Sequence, residues 1–314
     1  MKGSELAKAY FREYGLPMLE KDFPELLPYL AAGIVGSGSD RYGFDDELSQ
    51  DHDFEPGFCL FLPGEDIVDR RQAFLLERAY AGLPKEFMGV LRPTLSPVGG
   101  NRNGVFRTAD FYASAIGCND GELSPVAWLT LPDYALAEAV NGEIWLDNYG
   151  EFTIIRERIR NMPEPFRLKR LAGNLLLMAQ SGQYNFPRCL KRGESEAAQL
   201  ACHEFVNAAM KVWFHLQKAY MPYYKWSFRR LRQLEGGEAL AEKLSFMLLA
   251  DHREESVAEE KTAFIESVAE EISEALRREN LIIVPGSNLE RLAYAVNEQI
   301  SDSNIRNLNI LAGV

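Results

Sequence analysis

Cysteine is scarce: Cys59, Cys118, Cys189 and Cys202 are the only four in 314 residues, with no C-x-x-C spacing among them. That scatter excludes a structural zinc site and a disulfide framework, and it suits reduced thiols in a cytoplasm. Positive charge is also short, since 34 Lys and Arg face 46 Asp and Glu for a formal net charge of −12. A broad nucleic-acid groove needs a basic field that draws many phosphates, so nucleic acid is not an expected partner, although a local cluster could still hold a small anion. Long apolar runs are missing as well. "LSFMLLA" is too short to cross a bilayer, and "MKGSELAKAYFREYG" lacks the apolar stretch of a secretion signal. The expectation is a soluble, cytoplasmic protein with no membrane partner. There is also no internal repeat, and no low-complexity segment long enough for a disordered tail.

What the chain does have is apolar content, 46% over this length, enough for two ordinary domains with substantial cores. Residues 4 to 32 carry a helical pattern broken at Gly15 to Pro17, and "AAGIVGSGS" reads as a buried strand running into a turn. "FCLFLP" suits a central strand, 66 to 81 a helix, and the Gly-, Pro- and Asn-rich stretch from Pro84 to Gly104 a loop. "GVFRTADFY" and "GEIWLD" are candidate strands. Beyond Gly150 strand-like runs almost vanish. Val206, Met210, Trp213, Leu216 and Tyr220 recur at helical spacing, and a Ser256-x-x-Glu259 capping box opens a second stripe through Ile265, Val268, Ile272 and Leu276. The expected class is α+β: a mixed-sheet domain with flanking helices over 1–155, then an all-α helical bundle over 156–314.

The stretch "GSGSDRYGFDDELSQDHDFEP" carries the chemistry. Side chains alternate along an extended strand, so Asp51 and Asp53 project to one face while His52 points to the other. Two adjacent carboxylates raise each other's pKa unless a cation neutralises them, and oxygen-only ligation suits Mg²⁺ or Mn²⁺. Such an ion recruits substrate phosphates, which points to phosphoryl or nucleotidyl transfer. Gly36, Ser37, Gly38 and Ser39 would supply backbone N–H groups and hydroxyls to the same phosphates.

An apolar residue, Gly-Ser, a spacer and an acid-x-acid strand resemble the signature of the polymerase-beta-type nucleotidyltransferase superfamily. Val35, Gly36, Ser37, Asp51 and Asp53 match it position by position, with Gly38-Ser39 as an equally acceptable register. A wider resemblance, through "NGEIWLDNYGEFTIIRERI", "GQYNFPRCLKRGE" and "YMPYYKW", is to a bacterial domain-of-unknown-function group related to kanamycin-type nucleotidyltransferases. It implies a mixed-sheet catalytic domain with a helical domain closing the cleft. It also implies Mg²⁺, a nucleoside triphosphate donor, ATP first, and transfer of the monophosphate to an acceptor, which the resemblance does not identify. A small-molecule hydroxyl is the expected acceptor, with a protein or RNA acceptor, or a catalytically impaired nucleotide-binding or interaction module, as alternatives. The pattern calls for a third carboxylate on a neighbouring strand. "GVFRTADFY" has only Asp110 near its end, and Asp147 in "WLDNYGEF" is the other candidate. Arg188 and Lys225 are candidate triphosphate-binding cations, and Tyr184, Asn185, Tyr223 and Trp226 candidate stacking groups. His203, His215 and His252 form no recognisable ligand set.

Overall fold

A computed structural model describes residues 1–47, 54–92 and 102–314. The chain forms two compact units, Met1–Leu123 with Ala135–Arg160, and Ser124–Tyr134 with Asn161–Val314. The division therefore falls at 160/161, with 124–134 joining the second unit, where the sequence pattern suggests 155/156.

The first unit opens with α1 (Gly3–Tyr10), a π-helical turn at Phe11–Gly15 and α2 (Leu16–Asp22), followed by β1 (Ala31–Ile34) and β2 (Cys59–Leu62). Next come α3 (Arg70–Ala81), a ribbon of β3 (Glu86–Phe87) and β4 (Val90–Leu91), β5 (Gly104–Arg107) and α4 (Thr108–Ile116). In the second unit α5 (Pro125–Thr130) follows, and α6 (Asp133–Val140) begins there and passes at Ala135 into the first unit, which continues with β6 (Glu143–Asp147) and α7 (Glu151–Arg160). The sheet order is β5-β2-β1-β6. β1 runs antiparallel to β2 and β6, and β2 parallel to β5, so the sheet is mixed.

Both faces of β2 are covered, which is why "FCLFLP" is apolar throughout rather than alternating. Phe58, Leu60 and Leu62 join Leu6, Tyr10, Leu19, Leu76 and Tyr80 in one core cluster. Phe61 turns the other way, with ring centroids 5.2 Å from Phe111 and 4.4 Å from Phe152. Aromatic pairs of this kind add about 0.5–1.5 kcal/mol each beyond the area they bury.

Two expectations are corrected. "GVFRTADFY" is a strand only to Arg107, because Thr108 starts α4 with Asp110 in its first turn, where a carboxylate favours the helix dipole. The stretch 84–104 holds a hairpin ribbon, with Met88 and Gly89 at φ 49° and 78°, both positive as a two-residue hairpin turn requires.

The second unit is helical among its described residues. It contains α8 (Glu164–Met178), a π-helical segment at Ala179–Asn185, α9 (Phe186–Lys191) and α10 (Ser195–Leu216). It continues with α11 (Tyr224–Leu231), α12 (Gly237–Leu249), α13 (Glu255–Arg278), α14 (Leu289–Glu298) and α15 (Ser303–Arg306). Its single large apolar cluster centres on Leu171, Leu175, Phe205, Val212, Ile272 and Leu292. The Ser256-x-x-Glu259 box does not cap α13, whose first residue is Glu255, so Ser256 lies inside the helix. Among the described residues no helix is long and apolar enough to cross a membrane.

Candidate functional site

The turn after β1 is shaped by groups from three other parts of the first unit. Gly36 and Gly38 stand at φ 94° and 125°, a region closed to most side chains, and a Cβ on Gly38 would lie 1.8 Å from Arg102 Nη2. Asn141 holds the Gly36 peptide from both sides: its Oδ1 accepts from Gly36 N at 2.9 Å and its Nδ2 donates to Gly36 O at 2.7 Å. Asn141 is itself positioned by the buried Arg156, whose guanidinium donates to the carbonyls of Val140, Asn141 and Gly142 at the end of α6. Arg102 donates from Nε and Nη2 to Ser37 O, at 3.2 and 2.9 Å, and from Nη2 to Asp40 Oδ1 at 2.7 Å. Arg41, 5% exposed, pairs with Asp40 and donates to Asn103 Oδ1 at 2.8 Å. Burial holds its guanidinium below the usual value, with Asp40 pulling it back up.

The consequence is an asymmetric turn. The carbonyls of Gly36 and Ser37 are occupied by side-chain donors, while among the described residues the N–H groups of Ser37 and Gly38 and the hydroxyls of Ser37 and Ser39 have no protein acceptor. A run of such donors is one that an anion could engage.

Asp51 and Asp53 lie outside the described residues, as does His52. The segment that leads from them into β2 reaches the same end of the sheet as the turn. Asn103 Nδ2 donates to Glu55 Oε1 at 2.8 Å while Asn103 Oδ1 receives Arg41, and Cys59 pairs with Gly33 just before the turn. The Cys59 thiol is buried and pushed up by desolvation, so it is not a thiolate nucleophile there.

Of the two suggested third acids, Asp147 is already engaged elsewhere. Asp147 pairs with Ala31, five residues before Gly36 and so at the far end of β1, and both its oxygens are taken. Oδ1 accepts from Gly150 N at 2.9 Å and Oδ2 from Thr153 N at 2.8 Å, which makes Asp147 the cap of α7. Asp110 is exposed in the first turn of α4. Among the described residues no three His, Cys, Asp or Glu side chains cluster to hold a metal ion.

A residue that sequence reasoning missed is Glu138, one turn before Asn141. Desolvation raises its carboxyl above the usual value and the charge of Arg102, the residue that grips Ser37, draws it partway back. It is half-buried, and no hydrogen bond or ion pair engages its carboxylate among the described residues. No local motif marks it, because its only distinction is a neighbour 36 positions away in sequence.

In the second unit Arg188 is exposed and lies 4.5 Å over the Tyr184 ring, and Lys225 is exposed beside Trp226 at 5.8 Å. Asn185 ends the π-helical segment, exposed to solvent. The histidines stay apart: His203 is exposed, His252 contacts Ser195 O at 3.0 Å, and His215 Nε2 stands 3.4 Å from Asp133 Oδ2.

Residues 128–227 match the family described as Domain of unknown function (DUF4037). The matched stretch takes in Glu138, Asn141 and Arg156 but not the turn that Asn141 and Arg156 support. No curated protein matches the chain.

Proposed function

We propose that the chain is a metal-dependent nucleotidyltransferase that moves a nucleoside monophosphate from a nucleoside triphosphate, with ATP the first candidate, to a hydroxyl of a small molecule. The observation that carries this reading is the turn at Gly36–Ser39, whose carbonyls are occupied and whose donors are not, directly after a buried strand. Phosphate oxygens accept hydrogen bonds, so the free donors of such a turn complement them, and the Asp40 carboxylate beside the turn is already paired with Arg41 and Arg102.

In this reading the N–H groups of Ser37 and Gly38 and the two serine hydroxyls hold the triphosphate. Asp51 and Asp53 carry Mg²⁺ or Mn²⁺, which when bound supplies charge neutralisation at the phosphoryl oxygens. The acceptor oxygen attacks the α-phosphorus, the bond to the bridging β-oxygen breaks, and pyrophosphate leaves. Glu138 receives the acceptor's hydroxyl proton, a task that suits a carboxyl that burial raises above its ordinary value. Arg102 both fixes the turn and tempers that rise.

The test is transfer of label from α-³²P nucleoside triphosphates with Mg²⁺ across panels of small hydroxylated acceptors, with pyrophosphate measured in parallel. Label is expected in the small-molecule fraction, falling on the order of 10²-fold or more in Asp51→Ala and Asp53→Ala. A second reading, nucleotide binding without transfer, is favoured by one fact: Asp147, on a strand next to β1, is committed to capping a helix. Mg²⁺-dependent nucleotide binding with no labelled product on any acceptor would select it.

A further inference from the structure

Within the second unit a cavity of about 420 Å³ is lined by two pairs of polar side chains from facing helices, Arg170 and Asn174 on α8 and Asn207 and Lys211 on α10. Each pair is spaced i, i+4, so each stripe looks one way along its helix. The volume is that of a small-molecule site. A polar stripe inside an apolar bundle is unfavourable unless its groups are paired, so the state of each group is informative.

Arg170 is fully engaged: Nε donates to Trp128 O at 2.9 Å, Nη1 to Asp133 Oδ1 at 2.8 Å and Nη2 to Leu131 O at 2.6 Å. It fastens 128–134 to α8, and Asp133 cancels its charge. Burial alone would raise the Asp133 carboxyl, yet His215, Arg170 and Lys211 together hold it below its ordinary value. Asn174 is engaged on one side only. Its Nδ2 donates to Arg170 O at 2.9 Å, which fixes the orientation of the amide, and its Oδ1 has no partner although the residue is 1% exposed. Lys211 makes no hydrogen bond or close ion pair on its ammonium among the described residues; its charge bears on the Asp133 carboxylate that Arg170 already pairs, so the two cations outnumber that one carboxylate at the cavity. At the cavity wall stand Tyr134, Tyr223 and Tyr224, all exposed, with centroids 5.7 Å apart for the first pair and 4.5 Å for the second.

We propose that this cavity is a second small-molecule site, independent of the transfer reading, for an anionic ring compound. Its ring lies against the tyrosines, its N–H or O–H donor reaches Asn174 Oδ1, and its phosphate pairs with Lys211. The shared chemistry is a singly phosphorylated ring, found in nucleoside monophosphates and in sugar phosphates.

Titration calorimetry on the full chain, without divalent metal or triphosphate, uses AMP and GMP in one arm and hexose 6-phosphates in the other, each beside its unphosphorylated parent. Saturable binding of a phosphorylated probe is expected in one arm, which identifies the source. It should weaken about ten- to a hundredfold in Lys211→Met and in Tyr224→Ala, both at solvent-accessible positions, and in Asn174→Leu if that variant folds. Asp51→Ala and Asp53→Ala should leave it unchanged, so failure of the transfer reading would not touch it. No saturable binding in either arm, equal binding of the unphosphorylated parents, or binding indifferent to Lys211→Met and Tyr224→Ala would overturn the proposal.

Discussion

Glu138 is a half-buried carboxyl with a single opposing charge, Arg102, and no hydrogen-bonded partner among the described residues. A carboxyl raised in the folded state opposes folding once it is ionised. Its contribution is most favourable below the unfolded value and is lost as pH rises through the raised folded value. Glu138→Gln removes that loss. The variant should melt higher than the parent at pH 7, with the gap closing as pH falls below the ordinary carboxylate range, while label transfer drops. A variant that melts lower at pH 7 would show that the ionised carboxylate is held by a favourable interaction instead. At this scale the sequence disclosed the turn and concealed its supports. Gly36 and Ser37 are legible because small residues directly follow an apolar run. Arg102 and Asn141 reach the turn from 65 and 105 residues away, and nothing local in "GNRNG" or "AVNGE" announces where those side chains point.

Among the elements, α8 carries a fully buried charge whose acceptors tie it to its neighbours. Lys169 is 0% exposed, and its ammonium donates to Asn297 Oδ1 at 2.9 Å, Arg306 O at 3.1 Å and Leu308 O at 2.7 Å. Desolvation holds its pKa below the usual lysine value, and the three acceptors join α8 to α14, to the end of α15 and to the segment after it. Lys169→Met keeps the stem and strands Asn297 Oδ1 and Leu308 O, while Arg306 O keeps the bond from Asn297 Nδ2. At about 1–3 kcal/mol for each unsatisfied buried group, the loss should reach about 2 kcal/mol or more in chemical denaturation, and less than about 1 kcal/mol would mean the acceptors find other donors. Elements were legible where the pattern was unbroken, as in "FCLFLP", because a strand covered on both faces leaves no polar position. "TADFY" misleads since alternation over five residues also fits one helical turn, and tertiary packing of Phe111 and Tyr112 onto Phe152 decides for the helix. Ser256-x-x-Glu259 fails as a cap because that helix starts a residue earlier, at Glu255.

For the molecule as a whole, the change from mixed sheet to helices is visible in the sequence as the loss of strand-like runs after Gly150. The membership of 124–134 is not, because it depends on Arg170 fastening the carbonyls of Trp128 and Leu131 and the carboxylate of Asp133. One α+β unit thus carries a donor-lined turn, and a separate helical unit carries a polar stripe facing a cavity. The central claim concerns the first: donors at Ser37 and Gly38 and carboxylates at Asp51 and Asp53 act on one triphosphate. Calorimetric titration of ATP with and without Mg²⁺, on the parent and on the Asp51→Asn/Asp53→Asn double variant, tests it most directly. The account predicts Mg²⁺-dependent binding by the parent that weakens at least about tenfold in the double variant. Binding of equal strength in both proteins, or in both the presence and absence of Mg²⁺, would contradict it.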